Sequence, residues 1–220
     1  MKYPENIQAV AALEPDYLGF IFWGPSKRFY QGNIPVLSPS IKKVGVFVDS
    51  SISEIVDLVE RHDLYAVQLH GTESSQFCRL LKGHLETLAQ RRNGNLDSTV
   101  KIIKVFGVDR NFDLAILNEF EPVCDFYLFD TKGPLPGGNG YGFDWELLES
   151  YKGSKPFFLS GGIGPEDEVK LKKFLSSPAS LHCHALDVNS KFEERPGLKD
   201  IESLRTFIKN HRGGFRSPKA

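Results

Sequence analysis

Phe126-Tyr-Leu-Phe-Asp130 runs four aromatic or apolar residues straight into an acid. This is the pattern of a buried strand ending in a carboxylate, and strand–loop–helix units meet their ligands at the strand's C-terminal end. Asp130 is therefore either an acid–base group or a carboxylate that caps the loop behind it. That loop is rich in Gly and Pro, and Asp144 follows it at the N-cap position ahead of Trp145-Glu-Leu-Leu-Glu. A second pattern is Leu159-Ser-Gly161-Gly162-Ile-Gly164-Pro165, after an apolar strand and before a helix. Adjacent glycines bare their backbone N–H groups and a helix N-terminus adds a positive dipole end, which together suit a phosphate. Glycines also make plain tight turns. The next unit ends Leu186-Asp-Val-Asn189-Ser190, whose small polar residues could add donors. Loops after the last two strands are the recurrent phosphate site of α/β barrels.

Two further groups sit at strand ends. Ser26-Lys-Arg28-Phe-Tyr follows the run Tyr17–Phe22 and its Trp-Gly-Pro turn. An Arg there either grips a carboxylate bidentately beside aromatic rings or is an exposed loop cation. In Val67-Gln68-Leu-His70-Gly71 the two-residue alternation of a strand puts Gln68 and His70 on one side, toward a common pocket. The alternative for His70 is a hydrogen-bonded loop anchor. Cys78, Cys124 and Cys183 lack metal-type spacing, and an odd number argues against a disulfide framework. Cys124 and Cys183 precede their strands, at the end away from the candidate groups, so all three read as structural.

The elements that must position these groups alternate. Strand-like runs are Tyr17–Phe22, Lys43–Val48, Ala66–His70, Lys101–Phe106, Phe126–Asp130, Phe157–Ser160 and Ala185–Val188. Helical patterns open the chain from Pro4 to Leu13 and recur at Ile52–Arg61, Ser74–Gln90, Asn111–Phe120, Trp145–Tyr151, Glu166–Leu175 and Asp200–His211, with a shorter segment after Pro39. Lys82–Thr99 reads as an extended helix end and polar loop, and the tail Gly213–Ala220 as frayed. Alternation implies a parallel sheet with right-handed crossovers, either a (β/α)₈ barrel or a doubly wound sheet. The leading helix has no strand before it. A barrel opened at one position would expose two strand edges, so a strand is expected ahead of Met1.

Composition agrees with one soluble α/β domain over residues 1–212. The 220 residues are 40% hydrophobic and 25% charged with a formal net charge of −1, which offers no polybasic surface for nucleic acid. No apolar run reaches the length of a membrane span, and no signal-peptide pattern opens the chain. A cytoplasmic location and a small, anionic substrate are expected.

Taken in order, these residues resemble the phosphoribosylanthranilate isomerase family of tryptophan biosynthesis. The resemblance rests on Asp16-Tyr-Leu-Gly-Phe-Ile-Phe, Ser26-Lys-Arg28, Lys43-Val-Gly-Val-Phe-Val, Val67-Gln-Leu-His-Gly71 and Phe129-Asp-Thr. It continues through Gly137-Gly-Asn-Gly140 before Phe143-Asp-Trp, then Ser160-Gly-Gly, then Asp187-Val-Asn-Ser before Arg195-Pro-Gly-Leu-Lys-Asp200. It implies a (β/α)₈ barrel, as a monomer or homodimer, that carries out an Amadori rearrangement without metal or redox cofactor. Asp130 then matches the general acid and Arg28 the holder of the anthranilate carboxylate. Gly161, Gly162, Asn189 and Ser190 match the phosphate loops, with Gln68 and His70 in the substrate pocket. One departure is Ser190-Lys-Phe-Glu193 where the family pattern is Ser-Gly-Val-Glu. The other is larger: the family's first strand ends in a Cys-Gly pair whose Cys is the general base, and Met1 stands just after that pair. The expected strand and the expected base fall in the same segment, so the chain as given is expected to be poorly stable and nearly inactive. A phosphosugar-binding barrel without chemistry is the alternative.

Overall fold

In a computed structural model, residues 1–93, 99–132 and 143–212 are described. Seven parallel strands form one sheet in the order of the sequence: β1 (Tyr17–Ile21), β2 (Lys42–Phe47), β3 (Ala66–Leu69), β4 (Lys101–Val108), β5 (Phe126–Thr131), β6 (Phe157–Leu159) and β7 (Cys183–Leu186). A doubly wound sheet would reverse its strand order at a switch point. This order never reverses, and with helices in its crossovers the fold is α/β and barrel-like. β1 and β7 are the two edges, with no ladder between them.

The helices form where local chemistry starts and stops them. α1 (Pro4–Ala11) opens on Pro4, whose missing N–H costs nothing in a first turn, and buries Asn6, Ile7 and Val10. α2 (Ile52–His62) is capped by the Ser51 side chain, which accepts from the Glu54 N–H at 3.3 Å, and it ends at Asp63 in the left-handed region. α3 (Ser75–Asn93) is the longest helix, α4 (Leu117–Phe120) and α5 (Glu168–Leu175) are short, and α6 (Ile201–His211) is capped by Asp200, which accepts from the Glu202 and Ser203 N–H groups. Among the described residues no helix is long and apolar enough to cross a membrane.

Alternation along the strands divides the core in two. On β5, Tyr127 and Phe129 pack outward against the helices, while Leu128 joins Val44, Ala66, Ile103, Val105 and Phe158 in a separate interior cluster. Asp130 continues that inward row, at the C-terminal rim. Tyr17, Tyr65 and Phe126 close the opposite end, where the Tyr17 hydroxyl and Nε2 of His184 are 2.7 Å apart across the unjoined edges.

Four expectations need correction, and one element was missed. The segment after Pro39 is a turn, too short to nucleate a helix. Asn111–Phe120 shrinks to a 3₁₀ turn at Leu114–Ile116 leading into α4, and Trp145–Ser150 is 3₁₀ throughout, capped by Asp144. Neither has the length to repay an α-helical nucleus. β7 begins at Cys183, which therefore lies in its strand rather than before it. A hairpin of β8 (Glu193–Arg195) and β9 (Leu198–Lys199) was not anticipated, because five strand residues give no periodicity to read. The glycine-rich segment Gly137–Gly140 and the tail from Gly213 lie outside the described residues.

Candidate active site

The strands' C-terminal ends and the space between β1 and β7 share one cavity of about 550 Å³. Arg28, Gln68, His70, Asp130, Gly162, Asn189 and Ser190 all line it. Gly161 does not. It is buried with φ +94°, Gly162 follows at +77°, and together they turn the chain after β6 so that the second glycine faces the cavity. A Cβ at Gly161 would press on Oγ1 of Thr131 and lie 2.8 Å from its backbone N. The close approach of these two strand ends therefore requires glycine.

Asp130 is 8% exposed. Its Oδ1 accepts from the Thr131 N–H at 2.8 Å and its Oδ2 lies 3.4 Å from Nε2 of His70. The Nδ1 of that ring is 3.1 Å from Nε2 of Gln68, so Gln68 and His70 share one side as strand alternation required, and Asp130 of β5 joins them in a row. Behind His70 lies a buried ion pair. Nζ of Lys104 is 2.9 Å from Oε2 of Glu73 and donates to the carbonyls of Leu69 and Gly71 at 3.2 and 2.8 Å. Glu73 accepts in turn from the Asp49 and Gly71 N–H groups, which fixes the turn on either side of His70.

Two cavity groups were missed from sequence. Asp187 follows β7, and its Oδ2 accepts from the Ser160 hydroxyl at 2.9 Å. Burial pushes its carboxyl upward, with the Asp130 charge adding, against the Ser160 hydrogen bond and the charges of Lys199 and His70. Lys199 donates to the Asn189 carbonyl and Oδ1 at 2.8 and 2.7 Å and to Glu193 at 3.2 Å. Its signal was weak, since a Lys in a two-residue strand looks like surface. Arg28 is also placed differently from a free loop cation: it is paired with Glu193 at 2.7 Å. Its loop is pinned where the Tyr30 N–H donates to the Ile21 carbonyl.

The Met1 ammonium completes the wall beside β1, donating to the Gly19 carbonyl at 2.8 Å. Burial pushes its pKa down to about 5, with the Lys199 and Arg28 charges adding and Glu193 opposing. Cys78, Cys124 and Cys183 are buried free thiols, and none lines the cavity.

The chain has counterparts among known proteins. The family model described as N-(5'phosphoribosyl)anthranilate (PRA) isomerase matches residues 1–210. An N-(5'-phosphoribosyl)anthranilate isomerase of Parabacteroides distasonis is 39% identical over 216 residues, covering 94% of this chain and 89% of its own. The crystal structure of phosphoribosyl anthranilate isomerase from Thermotoga maritima superposes with a TM-score of 0.76 at 30% identity, covering 97% and 96% of the two chains. A phosphoribosyl anthranilate isomerase in complex with reduced 1-(o-carboxyphenylamino)-1-deoxyribulose 5-phosphate gives 0.73 at 29% identity, covering 97% and 95%. With a family match over nearly its whole length, the chain belongs to the N-(5'-phosphoribosyl)anthranilate isomerases.

Proposed function

We propose that this chain rearranges N-(5-phosphoribosyl)anthranilate to 1-(2-carboxyphenylamino)-1-deoxyribulose 5-phosphate in tryptophan biosynthesis. One observation carries the assignment of roles: Arg28, Asp130 and the Gly162, Asn189 and Ser190 loops line the same cavity. A substrate with a carboxylate at one end, a phosphate at the other and a ribose between has a partner for each part. Asp130 protonates the ribose ring oxygen, the ring opens, and the nitrogen lone pair forms an iminium. A base then takes the C2 proton to give an enamine, which becomes the ketone. Gly162 presents its backbone N–H to the phosphate, Gly161 makes the turn that places it, Asn189 and Ser190 add donors, and Lys191 in place of a glycine is tolerated because backbone donors do the holding. Gln68 and His70 orient Asp130 and the sugar.

The family resemblance makes the base a Cys, followed by Gly, at the end of a strand between β7 and β1, the two edges that no ladder joins.

Turnover of this chain, beside a form carrying an added N-terminal strand that ends in Cys-Gly, tests both statements. Activity in the extended form alone, about 10²–10⁴-fold higher, is expected. Equal activity in both forms would show that another group is the base, and activity in neither would overturn the isomerase assignment.

A further inference from the structure

Arg28 is held by one edge. Its Nε donates to Oε1 and Oε2 of Glu193 at 3.1 and 2.9 Å, and its Nη2 lies 2.7 Å from Oε2. Among the described residues Nη1 has no protein acceptor, and Arg28 lines the cavity. Glu193 is itself fixed: Nζ of Lys199 and the Gly197 N–H reach its Oε1 at 3.2 and 3.1 Å. The side chains of Glu193 and Lys199 are 3% and 8% exposed. Lys199 reaches on to Asn189, and Asn6 clasps the Lys199 backbone from both sides, donating to its carbonyl at 2.9 Å and accepting from its N–H at 2.8 Å.

Two basic groups, Arg28 and Lys199, face the one Glu193 carboxylate. Burial alone would raise the Glu193 carboxyl, but its hydrogen bond from Arg28 and the Lys199 and Arg28 charges outweigh that and hold it below the usual carboxylate range. Glu193 is thus committed as an anion.

We propose that Glu193 and Lys199 are the positioning residues for recognition of the substrate's carboxylate. Glu193 occupies the Nε/Nη2 edge of Arg28 and leaves Nη1, with the second Nη2 proton, as a fork for an incoming carboxylate. Lys199 ties that fork to Asn189 at the phosphate end, so the spacing between the two anion sites is set by the buried row Arg28–Glu193–Lys199–Asn189. A phosphosugar without a carboxylate has no use for this row. The inference rests on the isomerase reading of the cavity.

Calorimetric titration of the full chain with three probes tests it: reduced 1-(o-carboxyphenylamino)-1-deoxyribulose 5-phosphate, the same molecule lacking the carboxyl, and inorganic phosphate. Glu193→Gln is expected to weaken the carboxylated probe by about tenfold or more and to leave the other two unchanged. Arg28→Lys should act likewise, and adding Glu193→Gln to it should change little further. Glu193→Asp keeps the charge with a shorter reach and should show a smaller, equally selective loss. Unchanged affinity of Glu193→Gln for the carboxylated probe would overturn the inference. So would an equal loss for all three probes, or a loss that persists in full in the Arg28→Lys background. A wild-type chain that binds phosphate but not the carboxylated probe would instead overturn the isomerase reading itself.

Discussion

Nε2 of His70 lies 3.4 Å from Oδ2 of Asp130, while Nδ1 of the same ring is 3.1 Å from the Gln68 amide nitrogen. One ring nitrogen thus meets the Gln68 amide and the other the Asp130 carboxylate. The row orients Asp130 toward the cavity. Asp130→Asn should lower kcat by about 10²–10⁴ with little change in KM. His70→Asn should lower it by about tenfold, through orientation alone. Steady-state kinetics on the most active form of the chain read both, and a loss carried wholly by KM would remove Asp130 from the chemistry.

Asp187 gives a pH signature. Its carboxyl is raised by burial, so it binds its proton more tightly folded than unfolded. Its contribution to stability is complete below about pH 3.9 and is lost as the pH climbs through the raised folded value. Asp187→Asn, which cannot ionise, should therefore melt higher than wild type near neutral pH, with the difference closing in acid. Thermal scans across pH check this, and a constant difference would mean the carboxyl is not penalised.

The pair behind His70 should be sensitive to half-removal. Lys104→Met leaves Glu73 buried without its cation and should cost about 3–5 kcal/mol in urea unfolding. Adding Glu73→Leu should recover part of that loss. A single variant as stable as wild type would show that the N–H groups of Asp49 and Gly71 suffice for Glu73.

Gly161→Ala forces a side chain into φ +94° and against Thr131. It should destabilise by about 1–3 kcal/mol and weaken inorganic phosphate, because Gly162 can no longer sit where it does. Phosphate titration of a variant that is still folded separates the two effects.

Seven strands were legible because parallel strands buried on both faces leave near-continuous apolar runs, as in Phe126-Tyr-Leu-Phe. Alternation then carried Gln68 and His70 to one side, and the glycine pair at 161 and 162 marked a turn that only glycine makes. What stayed hidden lacked a period. Trp145–Ser150 has the composition of an α-helix but not its length, and Glu193 and Lys199 look like surface charges in a hairpin of two and three residues. Their burial is decided by Arg28, more than 160 residues away in the chain, and a pairing at that distance leaves no local trace. The roles given to the site residues rest on the family resemblance as well as on their common cavity.

The open flank between β1 and β7 also bears on how the protein behaves as a sample. An edge strand is a template for any other strand, and here two edges flank one slot. A second copy can offer its own extended segment to that slot, so association competes with whatever fills it within one molecule. Melting temperature and aggregation onset should then vary with protein concentration, as for any fold whose edges pair by mass action.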